Sequence, residues 1–217
     1  MFDYICGLIA NRGAQVRITE GTVCDIHRIS VEGIYPCGGR YTTILYRRKL
    51  LGGHVLPHPS LIRVRLIDLL DWVNSLSPQS QREPYEAAVF HYRLTEIHPF
   101  NGANGRVARQ LMALFLMKRG YDPLLIRELF RFTRTHKNLY IETLQSGELQ
   151  GEPVLFLLFI IYGLLHAVKR VAKTRNIKLP QLALIVRRGK RELRDGMRTL
   201  AAIPKFSSAA NSLLRLR

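Results

Sequence analysis

The chain has 217 residues, 47% of them hydrophobic, which suits one domain with a buried core and excludes a low-complexity chain. Its formal net charge of +17 is uneven: residues 168–217 carry 14 lysines and arginines against 2 acidic residues. A tail of that kind attracts nucleic acid, acidic lipid or acidic protein. Cys6, Cys24 and Cys37 are odd in number and form no C-x-x-C, which argues against a disulfide framework and for a reducing compartment, so a cytoplasmic location is expected.

In chain order, residues 2–11 suit a short helix. Thr19 suits the N-cap of a second helix running to about Glu32, with Val23, Ile26 and Ile29 or His27 on one face. Pro36-Cys37-Gly38-Gly39 ends it. Tyr41–Tyr46 is rich in β-formers, and His54–Leu56 can pair back on it as a hairpin, closed by Pro57 and Pro59. Ser60 is expected to cap a helix to about Leu76, with Leu61, Val64, Ile67, Leu70 or Leu69, and Trp72 or Val73 facing inward. Further helices are expected from about Pro84 to Ile97, from near Arg106 to Arg119 with Gly120 as its stop, over 123–145, and over 151–173. The apolar run Val154–Val168 is broken by Gly163 and His166, so we read it as a buried helix and expect no transmembrane segment. The fold class is therefore mostly α with one small hairpin.

Between two of these helices lies Ile97-His98-Pro99-Phe100-Asn101-Gly102-Ala103-Asn104-Gly105-Arg106-Val107-Ala108-Arg109. Pro99 ends the preceding helix at His98. Phe100 can anchor the loop in the core. The small residues Gly102, Ala103 and Gly105 let backbone N–H groups approach an anion. Arg106 stands near a helix start, whose spare N–H donors and positive dipole end favour anions, and Arg109 shares its face. Two guanidinium groups there make a phosphate clamp, and a histidine within reach can act as a general base.

This segment resembles the signature of the Fic family, His-x-Phe-x-(Asp/Glu)-Gly-Asn-Gly-Arg-x-x-Arg. The likeness extends to Gly39-Arg40-Tyr41 before the hairpin, to Asp71-Trp72-Val73, to Ala87–Ile97, and to Leu111–Tyr121 with Tyr140–Leu144, over roughly residues 20–168. It implies a Fic-type helical bundle with a β-hairpin flap, divided as a lead-in over 1–18, the Fic domain over 19–168 and a basic extension over 169–217. The activity it implies is transfer of AMP from ATP to a Ser, Thr or Tyr hydroxyl of a target protein. His98 would deprotonate that hydroxyl. The backbone at Asn104 and Gly105 would form an anion hole, with Arg106 on one nucleotide phosphate and Arg109 on the terminal one. Phe100, Gly102 and Ala103 would shape the loop, and the flap, through Thr42, Thr43, Ile44 and Leu45, would align the target by strand addition.

The chain departs from this pattern where Gly102 stands at the Asp/Glu position. In the family that carboxylate holds the Mg²⁺ bridging the phosphates. Glycine offers no ligand, leaving water, phosphate and the Asn104 side chain, so weakened transfer or none is expected. Ala103 in place of Gly also occurs in branches that move phosphate or phosphocholine, whereas Gly105 argues against the phosphotransferase branch, which has Lys there. The family's inhibitory (Ser/Thr)-x-x-x-Glu-(Gly/Asn) is unmatched: Glu20-Gly21 and Glu32-Gly33 follow Val16 and Arg28. An antitoxin-like partner would then regulate the site. The alternatives are a degenerate domain that binds nucleotide or a partner without turnover, and a nucleic-acid-associated protein acting through its tail. His54 and His58 are a poor zinc pair because Pro57 interrupts them, so no metal ligands are assigned.

Overall fold

The computed structural model describes residues 2–36, 38–43, 56–77, 82–150 and 153–176. Described secondary structure is helical: α1 (Phe2–Arg12), a 3-10 turn at Gly13–Gln15, α2 (Glu20–Ser30), α3 (Pro59–Ser75), α4 (Glu83–Ile97), α5 (Asn104–Lys118), α6 (Pro123–Thr135), α7 (Lys137–Gln150) and α8 (Val154–Thr174). Two compact units divide the chain between Tyr121 and Asp122, inside the 19–168 span of the resemblance. The expected hairpin falls mostly on residues 44–55, and the basic extension on 177–217, both outside the described residues.

In the first unit α5 is the central helix, touching α1, α2 and α4. Every residue from Leu111 to Met117 on it is buried, because its sequence is apolar on all sides there. It starts at Asn104, two residues before the expected Arg106, and stops where Gly120 takes a left-handed φ of 85°. Helix α2 is capped as expected: the Thr19 hydroxyl accepts from the Thr22 amide at 3.2 Å, and the Thr22 hydroxyl accepts in turn from the Thr19 amide at 3.3 Å. The chain before it is held by Asn74 of α3, which accepts from Ile18 N at 3.0 Å and donates to Ile18 O at 2.8 Å.

Helix α3 corrects two expectations. Its cap is His58, whose Nδ1 accepts from Ser60 N, with Pro59 in the first turn. Its buried face is Ile62, Leu66, Leu69, Leu70 and Val73, while Leu61, Val64 and Ile67 are 44%, 57% and 37% exposed. Both sets have helical spacing. The set at 62, 66, 69 and 73 is the one the fold buries, and the other faces out.

In the second unit α8 packs on α6 and α7. The stretch expected as one helix over 123–145 is two, broken at His136, whose ring lies 4.6 Å from that of Phe132. Phe132 also meets Phe159 at 5.3 Å and His166 at 5.3 Å. Gly163 makes this approach possible: a Cβ there would stand 2.8 Å from both Leu129 Cδ1 and a Phe132 ring carbon. At 21 residues, α8 is long and apolar enough to cross a membrane by length and composition. Here Leu155, Phe156, Phe159, Ile160 and Tyr162 are buried within the unit.

Candidate functional site

The loop between α4 and α5 is bracketed by two left-handed residues. His98 closes α4 at φ 49°, ψ 55°, its N–H bonded to Leu94 O, and Ala103 opens α5 at φ 58°, ψ 9°. Neither is glycine, so both conformations are strained and need support. Asn104 supplies it. Buried to 3% exposure, it accepts from Phe100 N at 3.0 Å and donates to Phe100 O at 2.7 Å, closing the loop on itself as a strand partner would. The Phe100 ring, 1% exposed, is sunk in the core as expected.

This arrangement places the sequence-derived residues together at one end of α5. The half-buried His98 has Nδ1 3.3 Å from Thr95 O; a proton donated there leaves the lone pair on Nε2. The first backbone bonds of α5 run from Arg106 and Val107 to Ala103 O, so the amides of Asn104 and Gly105 stand ahead of the ladder at its positive end. Arg106 is exposed and spends one N–H on Ser30 O, at 2.7 Å, at the C-terminal end of α2. The Arg109 guanidinium folds back over Gly105, its Nη1 3.5 Å from where a Cβ would stand. Gly102 has an ordinary φ, and a Cβ there would lie 3.5 Å from the Tyr35 ring. Thr42 donates its N–H to Pro99 O at 2.9 Å, which ties the start of the expected flap to the loop. Thr43 is exposed, and Ile44 and Leu45 lie outside the described residues.

The donor set does not fit a protein-held Mg²⁺. Gly102 has no side chain, and both polar atoms of the Asn104 amide are engaged by Phe100. Among the described residues no cluster of three His, Cys, Asp or Glu side chains could hold a metal.

The sequence reading left α2 out of the site, yet α2 and the turn after it carry His27, Ser30 and Tyr35. His27 had shown only as an inward-facing position. Its ring stacks on Phe100 at 3.8 Å and 7°. Burial holds it below the usual imidazole range; the Gly102 carbonyl works against this and the Arg106 charge with it. Burial likewise raises the Cys24 thiol and the Tyr41 hydroxyl above their ordinary values, so neither supplies an anion beside the loop. A separate groove of about 660 Å³ between α3 and α4, lined by Arg65, Trp72, Tyr85, Arg93 and Glu96, reaches Ile97 but none of residues 98–109.

Residues 17–116 match the family model described as the Fic/DOC family. The chain is similar to the protein adenylyltransferase Fic of Aedes aegypti, 30% identical over 72% of this chain and 29% of that protein. It is similar also to the protein adenylyltransferase Fic of Drosophila willistoni, 35% identical over 52% of this chain and 22% of that one. It thus spans less than a third of the length of these curated relatives. A crystal structure of a Fic family protein from Desulfovibrio desulfuricans G20 superposes with a TM-score of 0.64 at 25% identity, covering 83% of this chain and 54% of that one. Fic-1 from C. elegans superposes with a TM-score of 0.62 at 22% identity, over 81% and 50%, a likeness of fold.

Proposed function

The chain is a member of the Fic/DOC family, and on that premise we propose that it transfers AMP from ATP to a hydroxyl of a target protein at the His98–Arg109 loop. The observation that carries this reading is the loop itself: a histidine at its start, a helix N-terminus at its end and two arginines in the first turns of that helix, with the loop closed by Asn104 on Phe100. In the proposed step His98 Nε2 takes the proton of the acceptor hydroxyl, and that oxygen attacks the α-phosphorus. The bond from the α-phosphorus to its bridging oxygen breaks and pyrophosphate leaves. Charge on the phosphate oxygens is met by the amides of Asn104 and Gly105 and by Arg106 and Arg109. No residue of the loop is assigned to a metal in this step. The Thr42 bond to Pro99 would place the flap, and with it the target backbone, in register with His98.

Gly102 at the position of the family's carboxylate favours a second reading, a domain that binds nucleotide and turns it over slowly or not at all. One experiment separates the two. The protein, His98→Ala and Gly102→Asp are incubated with α-phosphate-labelled ATP, with Mg²⁺ or Mn²⁺, alone and with a cell lysate. Label in the parent that vanishes in His98→Ala supports the transferase. Label in Gly102→Asp alone supports the silenced domain; the ordinary φ at 102 and the 3.5 Å to Tyr35 leave room for that side chain. Absence of label in all three removes the transferase reading. We further propose an antitoxin-like inhibitor of the site, and nucleic acid as a partner of the 169–217 extension; deleting the extension should then abolish salt-dependent polyanion binding.

A further inference from the structure

Two backbone segments converge on one imidazole. His27 sits in the last turn of α2, 3% exposed. Its Nδ1 accepts the Gly39 N–H at 2.9 Å, three residues before the Thr42 bond to Pro99. One ring face lies flat on Phe100, whose amide and carbonyl are the pair clamped by Asn104. Its Nε2 is buried and faces the Gly102 carbonyl without closing a full hydrogen bond. An Nδ1 that accepts from an amide requires the proton on Nε2, so the ring is held as the neutral Nε2–H tautomer. Phenylalanine could supply the stacking and nothing else; Nδ1 adds a hydrogen bond to one segment and Nε2–H faces the carbonyl of another that is far away in sequence.

We propose that His27 is a positioning residue that sets the distance between the flap base (Gly39–Thr42) and the anion loop (Phe100–Asn104). The inference deepens the nucleotide-transfer reading, because on that reading the flap carries the acceptor and the loop carries the phosphates. A fixed spacing between them is what in-line attack demands, where a displacement of about 1 Å costs on the order of 100-fold in rate.

The test is amide hydrogen exchange on the full chain, with His27→Phe, His27→Asn and His27→Gln beside the parent. Asn places its amide near the site of Nδ1, and Gln near that of Nε2. In His27→Phe, exchange at both 39–42 and 99–104 should rise at least about tenfold while the middle of α5 keeps the parent's protection, the signature of a local opening. His27→Asn should restore protection at 39–42 alone, and His27→Gln at 99–104 alone. A uniform rise across α2, α4 and α5, or no change in either segment, overturns the proposal; should His27→Phe fail to fold, the Asn and Gln pair decides it by the same split. ATP titration by calorimetry runs in parallel: at least a tenfold weaker Kd in His27→Phe is expected. A parent that binds no ATP would sink the nucleotide reading, whereas the exchange pattern judges His27 independently of it.

Discussion

The two units are held together by different physics. Around the loop, single atoms decide: Asn74 pins Ile18, Asn104 pins Phe100, and His27 accepts from Gly39, each a polar side chain matched to one backbone segment. In the second unit volume decides: Phe132 is surrounded by Phe159, Tyr162, His136 and His166, and Gly163 lets α6 approach α8. Polar keys fix a unique shape but fail completely when one group is removed, because a buried donor or acceptor is left unmatched. Apolar interlocking tolerates chemical change and fails by degrees as volume changes.

The contrast can be broken from either side. The largest effect is expected at His98, where His98→Ala should lower transfer by about 100- to 10,000-fold while ATP affinity, read by calorimetry, stays close to that of the parent. Next is Asn104→Ala, which leaves Phe100 N and O both without their partner. At about 1–3 kcal/mol for each unsatisfied group, it should lower the denaturation midpoint clearly and weaken ATP binding with it. In the second unit Gly163→Val should cost about 1–3 kcal/mol by overpacking, read in the same denaturant titration, with ATP affinity unchanged. If Gly163→Val weakens ATP binding as Asn104→Ala does, the contrast between polar and apolar fixing fails.

The smallest effect is on acidification. His27 and His136 are held by burial below their ordinary value of 6.5, and the fully buried His91 lies well below it, through burial and then the Arg109 charge. The unfolded chain therefore takes up protons before the folded one does. Stability present above pH 6.5 should be lost as the pH falls through and below that value. A melting temperature level from pH 8 to 7 and falling toward pH 5 is expected, with a shallower fall in His27→Gln; a melting temperature that rises on acidification would contradict the buried neutral assignments.

What the sequence disclosed follows from range. The Thr19 cap, the Gly120 stop and the loop with its histidine and arginines depend on neighbours a few residues away, and all were legible. The inward face of α3 was not, since apolar residues lie at helical spacing on two sides of it and only tertiary packing selects Ile62, Leu66 and Leu69 over Leu61, Val64 and Ile67. The break at His136 has neither glycine nor proline to announce it. The roles of His27, Ser30 and Tyr35 depend on a loop some seventy residues further on, roughly the separation between Ser30 and Arg106, and no local pattern records such a meeting. Asn104 was legible as a site residue, but the employment of its amide was not: the side chain once considered for a metal is the one that closes the loop.

One consequence follows from the backbone at His98 and Ala103. Two L-residues held at positive φ each cost on the order of 1–3 kcal/mol, and the chain meets that cost when it folds. A loop built this way does not wait for its guest. An arriving anion gives up its own tumbling and its water shell, while the receptor has little disorder left to surrender. Association should therefore be fast and show little rearrangement, and loosening either residue toward glycine would transfer an entropic burden to every binding event.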